Sequence, residues 1–189
     1  ISFGNIIISQ NYIKNEIRNN TGSAQIYNLI IANNFILGSS IGSGFSGKFT
    51  GFLNHNTIIT GNYTYHYFEN FQITNNIIIG GSIPSNNTFF NNIGDGIQFP
   101  VGNGNKQNVN MADVFVGKTG NSIDGQWQLK PYSPALKAGN DGTDCGMFGG
   151  SSPYVLSGLP SIPAIYEIIM PSTGDNINGI DVTIKAKTH

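Results

Sequence analysis

Charged side chains are scarce in this sequence. Nine Lys and Arg residues and ten Asp and Glu residues make up 10% of the 189 residues, against roughly 25% in an average globular protein. The formal net charge is −1, so the chain lacks the basic balance that attracts nucleic acid or an anionic membrane surface. We predict a polar but largely uncharged surface built from Asn, Gly, Ser and Thr, and no nucleic-acid partner.

Cysteine is rare and long hydrophobic runs are absent. The single cysteine, Cys145, cannot form an internal disulfide, and we interpret it as a small buried hydrophobic residue. No stretch reaches the roughly 20 apolar residues of a membrane span. The sequence starts at Ile1, within a strand-like apolar run, and we expect preceding coils or another domain in the same gene product.

What the sequence does contain is a repeat of short apolar runs separated by asparagine. The clearest copy is FQITNNIII at 71–79. The last Asn of each copy is Asn11, Asn34, Asn56, Asn76 or Asn92. The intervals between them are 23, 22, 20 and 16 residues. A period slightly above twenty residues that shortens toward one end predicts a solenoid of stacked β coils with an atypical last unit.

A sharp corner between two strands explains why asparagine recurs. Asn tolerates the left-handed backbone conformation and bonds to nearby backbone groups. When coils stack in register, equivalent Asn side chains can also bond to one another, as in the amide ladders of cross-β assemblies. We therefore predict an asparagine ladder at the corners and give these residues a structural role rather than a role in ligand binding.

The segment after Asp124 resembles a known family. Residues 127–139, WQLKPYSPALKAG, followed by Asp144 and Gly146, resemble the W-x-L-x-x-x-S-P-A-x-x-x-G closing segment of right-handed parallel β-helix proteins of the pectate-lyase-like superfamily. The run at 148–160 is similar to that of secreted or surface-exposed bacterial members. The resemblance implies a right-handed parallel β-helix and an extracellular or cell-surface location. It does not imply an activity.

The C-terminal residues predict a separate β segment. Apolar residues alternate with polar residues over 162–170 and again over 180–186, which is typical of two strands. Since the end of a solenoid exposes unpaired backbone groups, we expect a β-hairpin or small sheet that caps the rod, with a docking or sorting appendage as the alternative. The predicted organisation is an all-β chain with coils and closing segment in 1–159 and the tail or cap in 160–189.

Catalytic candidates come from the chemistry of carbohydrate cleavage. The resemblance implies that members which cleave acidic polysaccharides use calcium-binding acids and an Arg or Lys base, and the coil region here has too few acids to carry that arrangement over. Lys14 and Arg18 are the candidate bases, because a basic group can abstract a proton beside a uronate carboxylate. The alternative, which we favour for this segment, is a solvated edge whose charges neutralise one another. Glu69 and Asp95 are the candidate carboxylates, because a glycosidase needs two of them facing the scissile bond.

Metal and cofactor sites are not predicted. Residues 140–144 offer only two carboxylates, so a tight turn is preferred there over a calcium loop. His55 and His66 are eleven residues apart and have no obvious carboxylate partner in the sequence. A zinc site needs three or four convergent ligands, and we assign both histidines structural or surface roles.

Three tyrosines form the predicted ligand-binding site. Tyr63, Tyr65 and Tyr67 alternate with other residues, so in a strand they line one face. Flat amphipathic rings suit stacking on sugar rings or contact with a protein partner. The alternative is that these rings pack beneath a neighbouring loop.

Two classes of function remain. The first, which we favour, is a non-catalytic structural or binding β-helix domain of a secreted or cell-surface bacterial protein, in contact with polysaccharide or another surface protein. The second is a carbohydrate-active enzyme, a polysaccharide lyase or glycoside hydrolase. They differ in whether an acid and a base converge to within about 3 to 6 Å of each other, as proton transfer requires.

Overall fold

A computed structural model describes most of the chain and divides it into two compact units. The described residues are 2–18, 25–38, 40–43, 50–61, 64–67, 69–156, 164–174 and 179–187. The units are Ile1–Tyr154 and Val155–His189. The boundary predicted between residues 159 and 160 lies outside the described residues.

Short parallel strands form the framework of the first unit. They are β1 (Ser2–Gly4), β2 (Ile7–Ser9), β3 (Tyr12–Lys14), β4 (Ile17–Arg18), β5 (Gln25–Tyr27), β6 (Leu29–Ala32), β7 (Phe35–Gly38), β8 (Ile41–Ser43), β9 (Gly51–Asn54), β10 (Thr57–Thr60), β11 (Phe71–Thr74), β12 (Ile77–Ile79), β13 (Thr88–Phe90) and β14 (Ile93–Gly94). Short 3-10 helices follow at Met111–Asp113 and Gly125–Trp127. The predicted all-β class is confirmed.

Most of these strands belong to two five-stranded parallel sheets. Sheet I has the order β2-β6-β9-β11-β13 and sheet II the order β3-β7-β10-β12-β14, while β1 pairs with β5 and β4 pairs with β8. We define a layer as one strand of sheet I with the strand of sheet II that follows it, so layer 1 is β2 with β3 and layer 5 is β13 with β14. Each layer pairs in parallel with the next, an arrangement compatible with a parallel β-helix.

The core lies between the two sheets and is built from aligned apolar side chains. The inward row of sheet I pairs Ile31 with Leu53 and Leu53 with Ile73, and all three are fully buried. In sheet II, Ile58 pairs with Ile78 and both are fully buried. Each such side chain contributes roughly 1.5 to 3 kcal/mol of transfer free energy, which is why one apolar stripe per strand is enough to hold the layers together.

Each corner between sheet I and sheet II has two residues with different roles. The first residue has a positive φ angle. These first residues are Gln10 (58°), Asn33 (53°), His55 (51°), Asn75 (59°) and Asn91 (55°). The second residue is the repeated Asn that the sequence pattern identified. The left-handed conformation and the ladder are thus divided between neighbours, a division that the sequence pattern did not reveal.

The second corner residues form the predicted asparagine ladder. From Asn34 onward, the Oδ1 atom of each one accepts hydrogen bonds from the backbone N–H and the Nδ2–H of the ladder Asn in the layer before it, at 2.8 to 3.2 Å. Asn34, Asn56, Asn76 and Asn92 are fully buried. Asn105 adds a further rung by accepting from Asn92 at 3.0 and 3.1 Å. The sequence pattern missed Asn105 because no apolar repeat surrounds it.

A segment that we call the strap, residues 134–154, covers the row of first corner residues. The side chains of these corner residues form hydrogen bonds to the strap, and the later a corner residue comes in the sequence, the earlier its partner lies in the strap. The contacts are Asn91 Nδ2 to Ala138 O (2.8 Å), Asn75 Nδ2 to Asn140 Oδ1 (2.8 Å), His55 Nε2 with Thr143 Oγ1 (2.9 Å), Asn33 Nδ2 to Gly149 O (2.7 Å) and Gln10 Nε2 to Pro153 O (2.9 Å). The strap therefore runs from layer 5 to layer 1, against the order of the layers.

Close packing fixes the strap in place. A Cβ atom on Gly149 would lie 1.8 Å from Asp144 O and 2.8 Å from the His55 ring, so only glycine fits there. The Cys145 thiol donates to Asn91 O at 3.1 Å, and burial raises its pKa to about 12. Cys145 is buried, as predicted. At the end of the strap the Tyr154 hydroxyl donates to the buried Asp124 at 3.0 Å.

The second unit contains an antiparallel pair of strands. β15 (Ala164–Ile169) pairs with β16 (Thr183–Lys187). Glu167 and Lys185 form an ion pair across it at 2.6 Å. The predicted C-terminal strands are therefore present, while their role as a cap stays a prediction.

Candidate functional site

The predicted tyrosine site is partly described. Tyr65 and Tyr67 are 45% and 48% exposed, and their ring centroids lie 5.0 Å apart at an interplanar angle of 71°. His66 between them is fully buried. This is the alternation expected of a strand, with both tyrosines outward. Tyr63 lies outside the described residues, and ligand binding by the tyrosines stays a prediction.

His66 is a core residue of the first unit. Its Nδ1 atom accepts a hydrogen bond from the Ile41 backbone N–H at 3.2 Å. Burial lowers the pKa of His66 to about 4, so the ring is neutral at physiological pH. A neutral acceptor that holds the backbone of a neighbouring strand is a structural role.

Two of the catalytic candidates, Lys14 and Asp95, lie far apart. Lys14 is on β3, and Asp95 directly follows β14, at the opposite edge of sheet II. Four strand spacings separate those edges, about 19 Å at ~4.8 Å each, whereas proton transfer needs contact at about 3 Å. Arg18 forms an ion pair with Glu16 at 3.0 Å, and Glu69 is exposed just before β11.

Asp95 lines a cleft of about 320 Å³ together with Gly80, Gly81, Ser82 and Gln98. Its Oδ1 atom accepts from the Gly80 N–H at 2.9 Å and from the Gln98 side-chain amide. These bonds join the turn after β12 to the turn after β14. The carboxylate therefore stabilises a turn in the structure, and its catalytic role stays a prediction.

A more extended concave surface lies on the outward face of sheet I. One row of side chains points outward and is paired in register from layer to layer. The row consists of Ile7, Ile30, Phe52, Gln72 and Thr88. Phe52, in the middle, is 43% exposed and Ile7, at one end, is 64% exposed, with the partly buried Ile30 paired between them. Exposed apolar side chains that adjoin one another are a feature of contact surfaces.

Two clefts meet at Phe52, and together we call them the Phe52 cleft. The first, of about 410 Å³, includes Asn28, Asn70 and Asn86, and the second, of about 340 Å³, includes Asn54, Thr74, Asn75, Asn140 and Asp141. Phe52 and Gln72 line both. The sequence analysis missed Phe52. The available indication was the alternation in GFLN, which turns Leu53 into the core and Phe52 to the outside.

The strap brings a charged rim to this surface. Asp141 Oδ1 accepts from the Thr143 N–H at 3.1 Å and from its hydroxyl at 2.6 Å, while Oδ2 lies 3.7 Å from His55 Nε2. Burial raises the pKa of Asp141, but the hydrogen bonds from Thr143 and the attraction of His55 outweigh it, so the pKa is lowered. No carboxylate partner for His55 was evident from the sequence, and the structure corrects this, because the strap and the corner meet only in the folded chain.

The hydrogen bonds of this rim form a closed turn. Gly139 N–H donates to Thr143 O at 2.9 Å, which closes the loop around Asp141. Burial lowers the pKa of His55, partly opposed by Asp141, so the ring is neutral and the carboxylate ionised near pH 7. Across the described residues no three His, Cys, Asp or Glu side chains gather where they could hold a metal ion.

Comparisons with known proteins do not assign this chain to a family. No protein-family model, no curated protein and no solved structure matches the chain. Within the described part of the chain, no helix has the length and apolar character needed to cross a membrane.

Proposed function

We propose that this chain is a non-catalytic right-handed parallel β-helix domain, of the pectate-lyase-like architecture, that binds carbohydrate on the outward face of sheet I. The consecutive parallel layers, the buried asparagine ladder and the closing-segment motif support the architecture. Right-handedness is expected because connections between parallel strands are right-handed in nearly all proteins. The wide separation of Lys14 from Asp95 favours binding over catalysis.

The observation that carries the proposal is the exposed ring of Phe52 between two amide-lined clefts. A sugar ring has apolar C–H faces and a rim of hydroxyls. An aromatic ring packs against such a face, while Asn and Gln side chains both donate and accept hydrogen bonds and match the hydroxyls. Sheet I supplies these groups on a rigid backbone, which reduces the entropy lost on binding.

The charge of the surface favours a neutral glycan. Asp141 is the charged residue among those that line the described Phe52 cleft, and its pKa is lowered, so the cleft is negative at neutral pH. A uronate polymer would be repelled, whereas a neutral polysaccharide would not. We further infer a secreted or cell-surface location, where such polymers occur, and this rests on the uncharged surface and the closing-segment resemblance.

Binding measurements with soluble polysaccharides test the proposal. We expect the chain to bind a neutral polymer such as xylan, glucan or mannan more tightly than polygalacturonate, with no product formed with or without calcium. Phe52→Ala should weaken binding about tenfold, since loss of an aromatic contact costs on the order of 1 kcal/mol. The matched control is Ile7→Ala, in the same outward row but outside the clefts.

Four outcomes would contradict the proposal. The first is no binding to any polymer, and the second is equal weakening by Phe52→Ala and Ile7→Ala. The third is release of cleaved product. If Tyr67→Ala abolishes binding while Phe52→Ala does not, the tyrosine face is the binding site and the Phe52 cleft is not.

A further inference from the structure

The layer 1 edge of the first unit differs from the edge of layer 5. In the described residues β2 and β3 are the outermost strands of sheets I and II, so one side of each carries backbone groups that no described strand pairs. At layer 5 the chain continues over the edge: Asn91 N–H donates to Asn103 O and Gly94 N–H to Lys106 O, both at 2.9 Å. A parallel edge without a cover is a template for a further strand.

The ladder shows what kind of strand fits this edge. Every buried ladder Asn also donates from Nδ2 to a backbone carbonyl of the preceding layer. That carbonyl belongs to the residue three positions before the preceding layer's own ladder Asn. The bonds are Asn34 to Ile8 O, Asn56 to Ile31 O, Asn76 to Leu53 O and Asn92 to Ile73 O, at 2.7 to 2.9 Å. Each rung therefore needs a layer on both sides.

Asn11 bonds to the following layer and to its own layer, but to no preceding layer among the described residues. It donates to Asn34 Oδ1 from its backbone N–H at 3.0 Å and from Nδ2 at 3.2 Å, and Nδ2 also donates to Ser9 O at 2.7 Å. No bond to Asn11 Oδ1 occurs among the described residues, and its side chain is exposed. Oδ1 is the atom that, in every inner rung, accepts from the preceding layer.

The apolar core is incomplete at the same edge. Ile8 and Ile13 pair with Ile31 and Ile36 in layer 2. Ile31 and Ile36 are fully buried, whereas Ile8 and Ile13 are only partly buried. The apolar stripe and the ladder lie side by side at every corner. A single additional layer would therefore both bury Ile8 and Ile13 and bond to Asn11.

We propose that the layer 1 edge binds one more parallel layer of polypeptide, a strand-corner-strand segment with the pattern apolar-x-x-Asn-x-apolar. Its Asn donates from the backbone N–H and Nδ2 to Asn11 Oδ1, and Asn11 Nδ2 donates to the carbonyl of its first apolar residue. The same pattern occurs at Ile8, Asn11 and Ile13 and in each of the next three layers. It places one apolar side chain of each strand over the core.

A second copy of the chain does not meet this requirement. The ladder is directional, since each rung donates to the next, so a copy would have to present its last rung, Asn105, to Asn11. The Asn105 N–H already donates to Gly102 O at 2.9 Å, and its Nδ2 donates to Phe89 O and Gly102 O. The occupant is therefore a segment with a free corner Asn.

A peptide with the sequence of residues 70–80, NFQITNNIIIG, carrying a soluble lysine tag, is the probe. We expect it to bind the whole chain and to slow amide hydrogen exchange at least tenfold in β2 and β3. Its matched control carries Asn76→Asp at the ladder position, which keeps the shape but removes the Nδ2 donor and should bind at least tenfold more weakly. Because only the peptide changes, the folding of the protein does not affect this comparison.

Protein variants locate the site independently. Asn11→Ala should weaken peptide binding at least tenfold, and Ser9→Ala, an exposed side chain on the same edge, should not. The proposal is overturned if both peptides bind equally or not at all, or if protection appears away from β2 and β3. It is also overturned if the chain without peptide forms dimers in which β2 and β3 are protected, since a second copy would then be the occupant.

Discussion

At the corners, two neighbouring residues meet different physical demands. The first position needs a left-handed backbone and a side chain that bonds the strap, and Asn, Gln and His all occur there. The second position needs a short side chain that both accepts and donates along the stack. Among the side chains, Asn meets this need because Asp lacks the donor and Gln is one methylene longer. This explains why only the second position is invariably Asn.

Removing a central ladder Asn should lower the free energy of unfolding far more than removing the first ladder Asn. In Asn56→Ala, the Asn34 N–H and the Ile31 carbonyl lose their partners in the buried interior. Each buried group without a partner costs about 1 to 3 kcal/mol, so we expect a loss of about 3 to 5 kcal/mol in the free energy of unfolding, measured by urea titration.

Asn11→Ala is the matched comparison, because Asn11 is exposed and water replaces its bonds. Its loss should be about 1 kcal/mol. Equal, small losses for the two variants would show that the ladder contributes little to stability and would contradict the account of the corners given above.

The strap forms one side of the Phe52 cleft on the surface of the stacked strands. It carries Asn140 and Asp141 to the rim of the Phe52 cleft, and each of its anchors is a single hydrogen bond or a short set of them. Asn75 makes a two-way link, since it donates to Asn140 Oδ1 and accepts from the Asn140 N–H at 2.9 Å. Local opening of the strap should therefore depend on Asn75.

Cys145 reports on this opening, because it lies within the strap and its buried thiol reacts only when it becomes exposed. Asn75→Gly keeps the positive φ angle at no steric cost but removes both bonds to Asn140. We expect the labelling rate of Cys145 by a thiol reagent under native conditions to rise about tenfold or more, which corresponds to a loss of about 1 to 3 kcal/mol.

Asn103→Gly is the control for this measurement. Asn103 also has a positive φ angle (49°) and an exposed side chain, and it lies outside the strap contacts. Its labelling rate should match that of the unchanged chain. If Asn75→Gly labels no faster than Asn103→Gly, Asn75 does not hold the strap.

For the molecule as a whole, the buried histidines predict acid sensitivity. Burial lowers the pKa of His66 to about 4 and also lowers the pKa of His55, partly opposed by Asp141. In the unfolded chain both titrate near 6.5, so between about pH 6.5 and 4 the unfolded state binds more protons. The stability contributed by the neutral histidines is therefore fully present above pH 6.5, and the free energy of unfolding falls as pH is lowered. The loss from His66 is about 3 kcal/mol at pH 4.

Urea titrations at pH 7.5 and 4.5 check this expectation. His66→Asn should flatten the pH dependence, because the Asn side chain can still accept from the Ile41 N–H but does not titrate. An unchanged difference between the two pH values in His66→Asn would show that other groups govern acid unfolding.

The sequence by itself determined the all-β class, the apolar stripes, the asparagine ladder and the burial of Cys145. These features repeat or are local. Ladder contacts between adjacent layers recur at separations of 23, 22 and 20 residues over the first four rungs, so the contact appears in the sequence as a period. Only the tertiary structure decided the path of the strap, the pairing of His55 with Asp141 and the Phe52 cleft. Those contacts join residues such as Asn75 and Asn140, 65 positions apart, and a contact made once leaves no period from which to predict it.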